Sequence, residues 1–328
     1  MLEWSPMADV RAPANLGRIP PAMIAWVAGG AVAGAVLEML LHPTLGLYVV
    51  EGVALVAALA TVGLVLFVDV VPRDIPVRRW LQRPIVMLAT VGYAAVLLTL
   101  PFDVMTLADN GLRGLGDTLS RSIVLHSGQF DNALARGLGL VLVVSGLHST
   151  RRAGPWLSRA GALLVVISFA TIGHARTYSP QAAVVATVIA HVAAAAAWFG
   201  GLIGLGISLH QAGADVKASG RLLATFARVM EVALALLLAA GVGLAVLYLP
   251  DPGALIHTAY GQVLLVKLAV LVGVLVLSTA NHFRLIEPAR QGSAAAIRVL
   301  RANVAAEQIG LLAILAITAV LVRQDPLG

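Results

Sequence analysis

A membrane-spanning helix needs roughly 20 mostly apolar residues, and nine runs along this chain approach or exceed that length. They are Pro21–Leu41, Leu47–Val71, Pro84–Leu100, Ala133–Leu147, Leu157–Arg176, Ala182–Leu209, Phe226–Leu249, Tyr260–Phe283 and Ala302–Val322. Short polar segments separate them. The fourth run is the shortest, and alternating barrel-type strands are not seen. Backbone amides in hydrocarbon find no water to bond, so helices satisfy them most economically. The pattern therefore predicts an all-α, polytopic transmembrane bundle of about nine spans.

The segments between the runs give an orientation. Sixteen Lys and Arg fall on one side of the alternation, including Arg11, Arg18, Arg73, Arg78, Arg152, Arg221 and Arg284; five fall on the other, Arg113, Arg121, Arg136, Arg176 and Arg323. The positive-inside bias puts the richer side in the cytoplasm. With nine spans, the N-terminus is expected inside and the C-terminus outside. Residues 1–20 are polar and Pro-rich and lack the layout of a signal peptide, so they read as a short cytoplasmic tail. Residues 21–156 form an N-terminal membrane half with an external loop at 101–132, and 157–328 form a second half. Within the loop, Leu112–Leu125 repeats its apolar positions at near-helical spacing, the mark of an interfacial helix.

Composition agrees with lipid as the solvent. Of 328 residues, 59% are hydrophobic and 12% charged, against about a quarter charged in soluble domains; mean hydropathy is +0.93. The net charge of +6 sits in the short loops, so it reads as a topology signal rather than a nucleic-acid surface. With no cysteine, disulfides, thiolate metal sites and Cys nucleophiles are excluded.

Polar groups inside the runs are expensive to keep there. Glu38, Met39 and His42 share a helical face near the outer end of the first run, and Glu51 opens the second. Two readings stay open for the glutamates: side chains reaching the interface, or a metal-attracting outer vestibule. His174 lies toward the outer end of the fifth run, and His191 is the deepest histidine. Trp198 follows His191 on the same face, and Gly200-x-x-x-Gly204 permits close helix contact. His42, His126, His174, His191 and His257 lie outward or mid-membrane; His148, His210 and His282 lie inward. Imidazole suits Cu, Zn, Fe and Ni, and thioether suits Cu(I). For His191, ligand and helix-bridging roles weigh evenly. Lys267 and Glu307 differ in depth by more than about 10 Å on a 1.5 Å rise, which disfavours a direct pair. Glu231 and Glu307 are expected to bond Arg284, Asn281 or His282, a structural role weighed against a proton or cation path.

Gly173-His174-Ala175, then His191 followed by small residues and Trp198-Phe-Gly200-Gly201, resembles the copper resistance protein D family. So do Phe226-x-Arg228, Gly241-x-Gly243, Tyr260-Gly261-x-x-Leu264-x-x-Lys267, Asn281-x-x-Arg284-Leu285, Pro288 and Glu307. The resemblance runs from about His174 to Pro326. It departs at His282, where the family commonly has Arg, and at Asp325-Pro326, where it usually has Pro-Pro. It implies a bacterial inner-membrane protein of copper uptake or tolerance, often beside a periplasmic copper carrier. On this reading outer His and Met capture copper, His174 and His191 relay it inward, and Trp198 and the glycines shape the path. No P-loop is present, so transport would be passive or ion-coupled, and no enzyme activity is expected. The alternative is an electron-transfer protein or metal reductase holding haem b between His174 and His191.

Overall fold

The computed structural model describes residues 39, 42–171, 179–212, 216–249, 251–291 and 293–324. Among them the chain is helical throughout. The long helices are α1 (Pro43–Val70), α2 (Val77–Ala108), α4 (Gly128–His148), α6 (Gln181–Ala212), α7 (Val216–Tyr248), α9 (Ala259–Asn281) and α11 (Ala294–Leu321). Among the described residues, seven helices are long and apolar enough to cross a membrane. Shorter elements join them: α3 (Thr118–Leu125), α5 (Gly154–Ser168), α8 (Ala254–His257) and α10 (Glu287–Arg290). A π turn, His282–Ile286, links α9 to α10.

Seven of the nine expected runs coincide with these crossing helices. The first, Pro21–Leu41, lies outside the described residues apart from Met39. The fifth, Leu157–Arg176, is helical as α5 only to Ser168. At 1.5 Å per residue α5 spans about 22 Å, less than a typical hydrocarbon core. It nevertheless packs antiparallel on α4. Gly161 meets the Gly139 backbone, and Ser158 lies against Gly146; the Ser158 hydroxyl donates to the Val143 carbonyl at 3.1 Å.

The expected external loop begins later than the pattern suggested. Pro101 does not end the helix; α2 continues to Ala108 with Pro84 and Pro101 inside it. Proline removes one intrahelical bond and strains the turn before it, but a long apolar stretch on both sides keeps the helix running. Asp109 then takes a left-handed conformation at the C-cap, with φ 47°. Beyond it a 3-10 turn at Gly111–Gly116 leads to α3. Asp117 caps α3 by accepting from the Ser120 amide at 2.8 Å. Leu112, Leu119, Ile123 and Leu125 are exposed, as an interfacial helix requires.

α1 is the hub. Its apolar stretch is 61% buried, against 6% for α9, so α9 presents most of its surface outward. α1 crosses α6 at van der Waals contact: a Cβ on Gly200 would stand 2.6 Å from the Gly63 Cα. Gly204 lies under the Phe67 ring. These contacts are the close approach expected of Gly200-x-x-x-Gly204. Trp198 is buried in the same core.

Side-chain pairs mark two ends of the bundle. Asp69–Arg159 and Asp74–Arg221 tie the arginine-rich end, where the Arg301 guanidinium also donates to the Leu209 carbonyl. At the opposite end Arg323 binds Glu51 through both carboxylate oxygens. Val184, Tyr248, Tyr260 and Leu321 pack together there. The start of α1 and the end of α11 therefore share one end, as the alternation of runs requires.

Candidate functional site

His191 sits on α6 and faces α7, and the alanines after it, Ala193, Ala194 and Ala197, line a groove between the two helices with Thr225, Arg228 and Leu236. The ring packs on the Gly241 of α7; a Cβ there would lie 3.4 Å from His191 Cε1. Its Nδ1 is buried and makes no hydrogen bond to any described residue. The Leu237 backbone of α7 hydrogen-bonds the ring, and the Lys267 ammonium of α9 acts on it electrostatically. A buried imidazole nitrogen without a partner costs free energy comparable to a lost hydrogen bond. The site thus holds one ring nitrogen without a hydrogen bond among the described residues, a hydrogen bond to the Leu237 backbone and the charge of a half-buried ammonium.

Trp198 lies two turns further along α6, on the same face, and is 4% exposed. Gly201 gives room to the Phe226 ring of α7, whose Cε2 would lie 3.0 Å from an added Cβ. Phe226 in turn meets Phe67 edge-on, with centroids 6.2 Å apart. Tryptophan and glycines act here as packing elements around the helix that carries His191.

The remaining candidates separate into three places. His42, His126 and His257 are all exposed. His126 Nδ1 is spent on the Ser122 carbonyl at 2.8 Å, and His42 precedes the first turn of α1. Met39 packs against the cluster of Leu47, Phe102 and Met105. Among the described residues no three His, Asp or Glu side chains come close enough to hold a metal ion. Glu38 and His174 lie outside the described residues, so neither the outer capture group nor the His174–His191 pair is seen assembled.

Glu51 is engaged by Arg323 at 2.7 and 2.5 Å, and Arg323 also stacks over Tyr48. Burial works against the Arg323 charge, but the hydrogen bonds and charge of Glu51 outweigh it and hold the guanidinium above its ordinary value. Asp103 adds a second carboxylate to the pair's field. Nearby, Arg136 is 8% exposed. It donates to Ser168 and Asn132, each at 3.2 Å, and stacks 4.0 Å above Phe169. Asp103 and Arg136 are absent from the sequence-based candidates. Asp103 read as a loop residue because Pro101 read as a helix end, and Arg136 sits at the edge of its run.

The third place is the arginine-ward half of α9 and α11. Glu307 is 3% exposed and accepts from Asn281 Nδ2 at 2.5 Å. Asn281 Oδ1 accepts from Asn303 Nδ2 at 2.6 Å, and the Ser278 hydroxyl also bonds Glu307. Of the partners expected for Glu307, the structure selects Asn281. Glu231 faces His282 at 3.9 Å, the glutamate largely exposed and the histidine half-buried. Lys267 forms no ion pair with Glu307, in keeping with their different depths.

These features define a multi-pass α-helical membrane protein with an imidazole and an ammonium inside the bundle. Residues 220–321 match the model of the family described as Copper resistance protein D. The match runs from the start of α7 to the end of α11 and supports the resemblance carried by the motifs from Phe226 to Glu307; the motifs around His174 and His191–Gly201 lie outside it. Comparison with curated proteins and with solved structures returned no match.

Proposed function

We propose that the protein carries copper inward across the bacterial inner membrane, with His191 as its mid-membrane contact. The observation that carries the reading is the buried Nδ1 of His191, which has no hydrogen-bond partner among the described residues, on the helix that precedes the family-matched stretch. Imidazole is a good ligand for copper, and a single nitrogen suits brief contact better than storage. Lys267 sharpens this. The Lys267 charge, which acts on the His191 ring, repels a bound metal ion, and at any given separation it repels a divalent ion twice as strongly as a singly charged one. A singly charged copper ion passing His191 is therefore favoured over a divalent one held there. His42, Met39, His126 and His257 would supply initial capture at the opposite end from the arginines, with His174 next on the route and a periplasmic copper-carrying protein as donor. The protein is not an enzyme on this reading.

The test is the copper content and visible spectrum of purified protein, wild type and His191→Gln. The expected result is substoichiometric copper in wild type, lost in the variant, with no haem band. A haem spectrum that disappears in His191→Gln would instead establish the electron-transfer alternative.

A further inference from the structure

We propose that Glu307, with Ser278, Asn281 and Asn303, forms a binding site for a small monovalent cation, a proton or sodium, inside the membrane-spanning bundle. The proposal goes beyond the copper reading and does not depend on it.

Glu307 lies near the middle of α11 and is 3% exposed. A buried carboxylate needs a positive charge to offset its desolvation. Its partners here are all neutral: the Asn281 amide at 2.5 Å and the Ser278 hydroxyl, with Asn303 orienting Asn281 from behind at 2.6 Å. No cationic side chain among the described residues makes an ion pair with it. The charges on every element packed against α11 are engaged elsewhere, exposed or distant. On α1, Glu51 binds Arg323 and Asp69 binds Arg159. On α6, His210 is exposed and His191 faces α7. On α9, Lys267 is 14 residues from Asn281, about 21 Å along the axis. In the π turn, His282 faces Glu231 and Arg284 is exposed. On α10, Arg290 binds Glu287. On α11 itself, Arg301 donates to the Leu209 carbonyl and Arg298 is exposed.

Asn281 presents an N–H to Glu307 and its own oxygen is taken by Asn303, so the acceptor atoms are the Glu307 carboxylate and the Ser278 hydroxyl oxygens. That is hard-ligand chemistry, suited to a proton or an alkali ion and poorly suited to copper. The π turn His282–Ile286 begins one residue after Asn281. Such turns interrupt the regular bonding ladder and recur at functional sites. A neutral amide clamp between α9 and α11 would need no carboxylate; Gln at this position would serve it equally. The carboxyl group is the feature that calls for a cation.

Infrared difference spectroscopy on the purified full chain tests this, with pH and sodium-for-choline exchange as the two perturbations and no copper present. The expected result is a carboxyl-region signal in wild type that is absent in Glu307→Gln. A signal that follows pH alone identifies the proton; one that responds to sodium at fixed pH identifies sodium. Should Glu307→Gln fail to accumulate, Asn303→Ala carries the test. It leaves Glu307 and Asn281 in place and shifts the midpoint of the signal by about half a pH unit or more, the scale of one lost hydrogen bond. Wild type and Glu307→Gln with identical spectra across pH and sodium, or an unmoved midpoint in Asn303→Ala, overturns the proposal. A copper-binding failure at His191 leaves this result untouched, so the two readings fail separately.

Discussion

At the scale of single residues, the charged groups buried in this protein divide by whether they have a counter-charge. Glu51 and Arg323 do. Each is about a quarter exposed, so breaking the pair costs roughly 1–3 kcal/mol, between the exposed and fully buried cases. If the pair is structural, Glu51→Gln and Arg323→Gln each lower the melting temperature and leave copper uptake per folded molecule unchanged. Uptake that falls in Glu51→Gln at unchanged stability would restore the vestibule reading of Glu51. Lys267 has no carboxylate partner among the described residues, and its position beside His191 opposes a resident cation. Lys267→Gln is expected to raise the copper retained by purified protein and to slow its release; unchanged retention would remove Lys267 from the path.

At the scale of elements, helix contact is governed by where glycine lets backbones meet. A Cβ on Gly63 would stand 1.9 Å from the Ala196 carbonyl, whereas one on Gly273 meets nothing within 4 Å. Gly63→Ala therefore destabilises by about 1–3 kcal/mol or more through overpacking. Gly273→Ala is neutral or stabilising by up to about 1 kcal/mol, since alanine is the better helix former. Thermal unfolding in one detergent compares them directly. The Asp117 cap gives a pH signature. Hydrogen bonds from Ser120 hold its carboxyl below the usual carboxylate range, so the cap's contribution is present above the ordinary aspartate pKa and fades as pH falls through the lower folded value. Hydrogen exchange of α3, corrected for intrinsic rates, is expected to show that loss in wild type and not in Asp117→Asn. The crossing helices were legible because their apolar runs are long. Their ends were less so, because proline at 101 reads as a stop while the helix beyond it continues by packing Phe102 and Met105 against Leu47. Gly200-x-x-x-Gly204 announced a close contact but not its partner, Gly63, which lies far away in the chain. Asn281 was legible as one of three partners for Glu307, with Arg284 and His282, and depth alone does not choose among them. Ser278 and Asn303 were not legible, since small polar residues near a helix end carry no distinct pattern.

At the scale of the whole molecule, the arginine-rich end and the end carrying Glu51–Arg323 give the bundle a polarity that must map onto the membrane. The basic bias predicts that positions 78 and 152 face the cytoplasm and 257 faces out. The natural chain has no cysteine, so single cysteines report cleanly. Labelling of position 78 by an impermeant reagent in intact cells would invert the topology. On that frame rests the claim that copper passes His191. The most direct measurement is copper accumulation in proteoliposomes holding equal amounts of wild type, His191→Gln and His210→Gln. Glutamine keeps a hydrogen-bonding amide of similar reach but is a poor copper ligand, and His210 is exposed at the end of α6. The account predicts accumulation by wild type and His210→Gln and its loss in His191→Gln at unchanged melting temperature. Wild-type accumulation by His191→Gln, with misfolding of His191→Leu, would make the histidine a structural bridge and contradict the account.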